Sequence, residues 1–144
     1  MKINFGAKIC EYEAPITVYD AAREAELIDR SIIAAKVNGE VVALTKLIEA
    51  DANVELLSFA QEDGKHVFRH TASHILAQAV KRLYPEVKLA IGPAIDNGFY
   101  YDFDAPFNFT QEHMDAIEGE MRKICKEKLK LERFELPRAE ALKF

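Results

Sequence analysis

Two cysteines, four histidines and six glycines in 144 residues leave little from which to build several kinds of site. Cys10 and Cys125 are too few and too far apart for a disulfide framework or a Cys-x-x-Cys site. No apolar run approaches the ~20 residues needed to span a bilayer. Met1-Lys2-Ile3-Asn4-Phe5-Gly6 lacks the long apolar stretch of a secretory signal. The expected location is therefore a reducing cytoplasm, with no membrane partner. No glycine-rich phosphate loop, nucleophilic serine or cysteine motif, paired-carboxylate site, internal repeat or low-complexity segment stands out.

What is present is enough for a core. Hydrophobic residues make up 49% of the chain, which argues against wholesale disorder and fits one ordinary domain or two small ones. The net charge of -5 argues against a generic nucleic-acid binder, but it hides an asymmetry. Residues 1–64 hold 6 Lys/Arg and 12 Asp/Glu, whereas residues 65–144 hold 13 and 12. A polyanionic partner should prefer the second half.

The first sixty residues read as a small α+β unit. Residues 2–5 and 10–12 suit short strands around Gly6. Thr17 is placed to cap a helix whose inner face carries Val18, Ala21, Ala22 and Ala25. Residues 32–37 form an apolar run broken by Lys36, Asn38-Gly39 is a strong hairpin signal, and residues 40–44 return. Residues 54–59 supply a last strand. This order suits a mixed sheet crossed by one helix, a β-grasp arrangement. The polar stretch 61–65 is the expected boundary.

A helix is then expected over 66–84, ended by Pro85, with Phe68, Ala72, Ile75, Leu76, Ala79 and Leu83 as its apolar stripe. The histidines of this helix, His66, His70 and His74, fall roughly opposite that stripe. Asn97-Gly98 leads into an aromatic strand over 99–103. A second helix is expected from about Thr110, with Met114, Ile117, Met121 and Ile124 on its buried face. Residues 131–136 alternate like a strand, and Pro137 opens a further element. The chain ends a few residues later, which leads us to expect a truncated domain.

Two groups could carry chemistry. Imidazoles at i and i+4, as in His70 and His74, can meet a common ligand, metal or water. The alternative is a solvated helix face with incidental histidines. Thr71 stands where the metalloprotease motif needs Glu, and a closed zinc site would need two more ligands. In Phe99-Tyr100-Tyr101-Asp102-Phe103, alternation separates Tyr100 and Asp102 from Phe99, Tyr101 and Phe103. Core packing accounts for that pattern, and so does a tyrosine hydroxyl that orients a substrate or water. The basic run Arg122, Lys123, Lys126, Lys128, Lys130 and Arg133 reads as a solvated face or as a phosphate-backbone contact.

The chain resembles the N-terminal part of the threonyl-tRNA synthetase family. The matching stretches are Arg69-His70-Thr71-Ala72-Ser73-His74 and Ala90-Ile91-Gly92-Pro93-Ala94-Ile95-Asp96-Asn97-Gly98-Phe99-Tyr100-Tyr101-Asp102. Earlier come Ala35-Lys36-Val37-Asn38-Gly39-Glu40-Val41-Val42 and Leu47-Ile48-Glu49-Ala50-Asp51-Ala52, so the likeness runs over nearly all of residues 1–143 in order. It implies a ubiquitin-like β-grasp (TGS) domain over 1–62 and a partial α+β editing domain over 63–144. The family's editing domain hydrolyses serine wrongly joined to the threonine tRNA. By resemblance, His70 and His74 match its first histidine pair and Tyr101 its positioning tyrosine. The family pairs them with a later Cys-x-x-x-His, which this chain lacks. Its ATP, Mg²⁺ and zinc belong to an aminoacylation domain also absent here, so no cofactor is expected in this segment. The implied partner is tRNA, and the implied parent is a homodimer. Rival readings are a non-enzymatic RNA- or nucleotide-binding module and a zinc-dependent deacylase acting in trans.

Overall fold

The computed structural model describes all residues except Ala7, Leu131, Arg133 and Phe144. The elements run β1 (Lys2–Asn4), β2 (Ile9–Glu11), β3 (Ile16–Thr17), α1 (Val18–Glu24), β4 (Ile32–Val37), β5 (Glu40–Val42), β6 (Leu47–Ile48), β7 (Ala52–Ser58), α2 (Glu62–Leu83), β8 (Lys88–Leu89), β9 (Ala94–Ile95), β10 (Gly98–Phe99), β11 (Phe103–Asp104), α3 (Gln111–Glu127) and α4 (Arg138–Ala141). They divide into two compact units. One comprises Met1–His74 and Leu89–Asp104, and the other comprises Ile75–Lys88 and the residues from Ala105 on.

In the first unit a mixed sheet runs in the order β2-β1-β7-β4-β5. Strand β1 lies antiparallel to β2 and parallel to β7, and β4 pairs antiparallel with both β7 and β5. The parallel pairing needs a long return through the body of the unit, and α1 lies within it. The expected β-grasp architecture is thus the one observed. Thr17 caps α1 as the sequence suggests: its Oγ1 accepts from the Asp20 amide at 3.0 Å. Val18, Ala21, Ala22 and Ala25 are all buried. They join Ile3, Ala35, Ile48, Ala52 and Val54 in the core, where each large aliphatic side chain contributes about 1.5–3 kcal/mol. Asn38 and Gly39 both have positive φ (51° and 89°), the conformation that closes a two-residue hairpin without splaying its strands.

Helix α2 begins at Glu62, four residues before the sequence suggests. Most of the polar stretch 61–65 is therefore helical. Gly64 makes this possible, because a Cβ there would lie 1.9 Å from the Ser58 carbonyl oxygen. Gln61 braces the same corner, its Oε1 accepting from the Ser58 amide (2.9 Å) and hydroxyl (2.8 Å). Lys36 of β4 also pairs with Asp63.

The apolar stripe of α2 is also placed differently. Ser73, Ala77, Ala79 and Val80 are buried, while Phe68 is 51% exposed. Small residues let the backbone approach its neighbours, so the deepest face follows them rather than the largest side chain. The aromatic segment is not one strand either. Gly98–Phe99 pairs with Ala94–Ile95 in a hairpin, and Phe103 begins a separate strand.

The second unit is held by apolar and ionic contacts of its own. Val80, Val87, Ile117 and Ile124 are buried, whereas Met114 is 49% exposed and lies off the core face expected of it. Arg82 donates to both carboxylate oxygens of Glu127 (2.6 and 2.8 Å) and to Glu120 (3.3 Å), a bidentate clamp that holds its guanidinium firmly charged. Of the strand expected over 131–136, Leu131 and Arg133 lie outside the described residues; Glu132 and residues 134–136 form no strand.

Candidate functional site

Helical spacing brings His66, His70 and His74 onto one exposed face of α2. The rings of His70 and His74 meet edge to face with centroids 4.6 Å apart, and their Nε2 atoms are 3.1 Å apart. At that distance one Nε2 carries a proton and donates it to the other. His66 stacks parallel to His70 at 6.4 Å. Ser73, fully buried, donates its hydroxyl to the His70 carbonyl at 2.8 Å and helps to fix the turn between the two rings.

Partial burial, then the neighbouring His74 and His66, hold the His70 imidazole below the usual histidine pKa. His70 is therefore neutral at pH 7 and free to accept a proton. An NMR titration of its ring should give a midpoint below 6.5, and His74→Gln should raise that midpoint by removing the neighbouring ring that disfavours the His70 cation. A midpoint at or above 6.5 would contradict this electrostatic account. Because the folded pKa is the lower one, the unfolded chain takes up the proton first. Stability present above pH ~6.5 is thus lost as pH falls through the folded value.

The hairpin β9–β10 leads into the aromatic segment. Burial alternates over 99–103 as the sequence suggests, with Tyr100 and Asp102 exposed and Phe99, Tyr101 and Phe103 partly covered. Tyr101 stacks on Phe103 at 4.9 Å. Its ring lies against Gly92, where a Cβ would come within 2.0 Å of Tyr101 Cδ2. Backbone bonds from Ala90 to the Asp102 carbonyl (3.0 Å) and from Asp102 to the Ile91 carbonyl (2.7 Å) close the loop around this contact.

His70 and His74 are thus brought together. Tyr101 shares the same compact unit but forms no hydrogen bond or ring contact with either of them among the described residues. Two residues were not marked by pattern alone. Arg69 joins the histidine helix to the hairpin by donating to the Ile95 carbonyl (3.3 Å) and to the Asp96 carbonyl. Gly92 receives the Tyr101 ring. The signals for them were an arginine adjoining the first histidine and a Gly-Pro break before an aromatic run.

Other polar side chains of this half have local partners. His113 accepts the Thr110 amide on Nδ1 at 3.0 Å and so caps α3. In the basic run, Arg122 pairs with Glu118 and Lys123 with Glu120, as on a solvated helix face. Arg133 lies outside the described residues. Among the described residues no group of three or more His, Cys, Asp or Glu side chains is placed to hold a metal ion.

No protein-family model matches the chain. It is 57% identical over 138 residues to a threonine--tRNA ligase of Clostridium kluyveri, covering 95% of this chain and 22% of that protein. The corresponding enzyme of Clostridioides difficile is 56% identical over 135 residues, covering 93% and 21%. That of Clostridium acetobutylicum is 56% identical over 138 residues, covering 95% and 22%. The chain therefore spans about a fifth of the length of the curated relatives it matches, and it aligns with their N-terminal part.

Proposed function

We propose that this chain, which matches the N-terminal region of threonine--tRNA ligases along nearly all its length, acts as the tRNA-editing part of such an enzyme. In this reading residues 1–62 are a TGS domain and residues 63–144 begin the editing domain. The observation that carries it is the His70–His74 contact, two imidazoles on one exposed helix face with their Nε2 atoms 3.1 Å apart.

The chemistry follows from the isostere problem. A pocket built for threonine cannot strongly reject serine, because one methyl yields only about 10–200-fold discrimination. A second site must hydrolyse the error. Water adds to the seryl carbonyl carbon, the ester bond to the ribose oxygen breaks, and serine and tRNA with a free ribose hydroxyl leave. His70 holds the 3′-terminal ribose or the attacking water, His74 supports His70, and Tyr101 positions substrate or water.

Joining threonine to tRNA with ATP and Mg²⁺ is assigned to other parts of such an enzyme, as are its zinc and its dimer contacts. A cytoplasmic location accompanies this proposal, and among the described residues no helix is long and apolar enough to cross a membrane.

The test is single-turnover hydrolysis of seryl-tRNA by the threonine--tRNA ligase that carries this sequence. Seryl-tRNA should decay at least 10-fold faster than threonyl-tRNA. Tight tRNA binding with no acceleration would instead favour a non-enzymatic RNA-binding module.

A further inference from the structure

We infer that Arg69 is a positioning residue that sets the aromatic hairpin against the histidine-bearing helix face. Resting on the editing reading above, this makes seryl-tRNA hydrolysis depend on a side chain that need not touch the substrate. Arg69 immediately precedes His70, yet its guanidinium reaches 26 and 27 residues along the chain, to the carbonyls of Ile95 and Asp96. Those carbonyls sit where β9 ends and the turn to β10 begins. The hairpin itself consists of only two residue pairs, Ile95 with Gly98 and Ala94 with Phe99. A two-stranded ribbon this short is not stable by itself. It needs an external tie, and Arg69 supplies a cationic one to two backbone acceptors.

The tie is aimed as well as attached. The Arg69 guanidinium carbon lies 5.8 Å from the centroid of Phe59, and Phe59 packs edge to face on Phe68 at 5.2 Å. The aromatic ring holds one side of the guanidinium plane while the carbonyls take the N–H groups. Position is then passed along the chain. From β10 it runs two residues to Tyr101, whose ring is seated on Gly92 and bracketed by the Ala90–Asp102 and Asp102–Ile91 bonds. A helix face bearing His70 and a loop bearing Tyr101 are therefore linked through one side chain.

Hydrogen exchange on the 144-residue chain and deacylation by the enzyme that carries it test this together. In Arg69→Gln, amides of residues 94–99 should exchange at least 10-fold faster, while those of β4 and β7 keep their protection. In the enzyme, kcat for seryl-tRNA hydrolysis should fall at least 10-fold with KM within twofold, and threonylation should be unchanged. Arg69→Lys, which keeps a cationic donor, should recover part of both losses. The inference is overturned if Arg69→Gln leaves exchange and kcat at wild-type values while His70→Ala abolishes hydrolysis. Loss of protection in β4 and β7 in both Arg69 variants would also overturn it, by making the residue merely structural. If His70→Ala itself leaves hydrolysis intact, the editing reading fails, and exchange at 94–99 alone decides whether Arg69 ties the hairpin.

Discussion

Gly64→Ala should lower the stability of the first unit by about 3 kcal/mol, the upper range for forcing extra volume into a packed site. Helix propensity alone predicts the opposite sign, since replacing a helical glycine with alanine gains roughly 0.5–1 kcal/mol. The contact decides between them. The added methyl would stand 1.9 Å from the Ser58 oxygen and 2.7 Å from its carbonyl carbon. Neither atom can swing away cheaply. Ser58 is paired with Ile32 in the sheet, and its amide and hydroxyl are both engaged by Gln61. Relief requires α2 to lift from the end of β7, which also pulls Asp63 from Lys36. Thermal unfolding of the variant should shift down by roughly 12–24 °C. An unchanged or higher midpoint would mean that the junction between β7 and α2 yields without cost.

The same position shows where sequence reading stops. A glycine inside a run of Gln, Glu, Asp and Lys has the composition of a linker. Nothing in those five residues reveals that Ser58 waits 1.9 Å from where a side chain would be. The β-grasp unit was legible because its signals are local: a threonine cap, an Asn-Gly turn, and the apolar run over 32–37 that precedes it. Strand pairing then followed from the order of the elements.

The candidate site was legible in part for a similar reason. Spacing of four residues guarantees that two imidazoles share a helix face, so the His70–His74 contact was foreseeable. Its electrostatics were not, because the depression of the His70 pKa depends first on burial. The aromatic strand was misjudged in extent since alternation says which face a residue takes, not what the backbone pairs with. Tyr101 kept its face but is held by Gly92 and Phe103 instead of by a ladder. Long-range ties such as Arg69 to Ile95 leave no periodic trace at all.

His70→Ala should cost at least about 100-fold in seryl-tRNA hydrolysis, within the 10²–10⁴-fold range typical of a positioned acid–base group. Under the editing proposal, threonylation should stay within twofold, so an enzyme bearing the variant should release more seryl-tRNA than one bearing His70. The geometry gives the reason for the asymmetry. At pH 7 the His70 ring is neutral, and the nitrogen that meets His74 at 3.1 Å can pass between donor and acceptor roles. Alanine removes both roles, whereas His74→Gln leaves His70 in place and takes away only its partner. The His74 variant should therefore retain more activity. Its kcat/KM profile should also change: the acid limb set by His70 should move upward once the neighbouring His74 ring is gone. Equal loss of hydrolysis and threonylation in His70→Ala would point to general damage rather than editing. An acid limb that stays put in His74→Gln would show that His74 does not set the titration of His70.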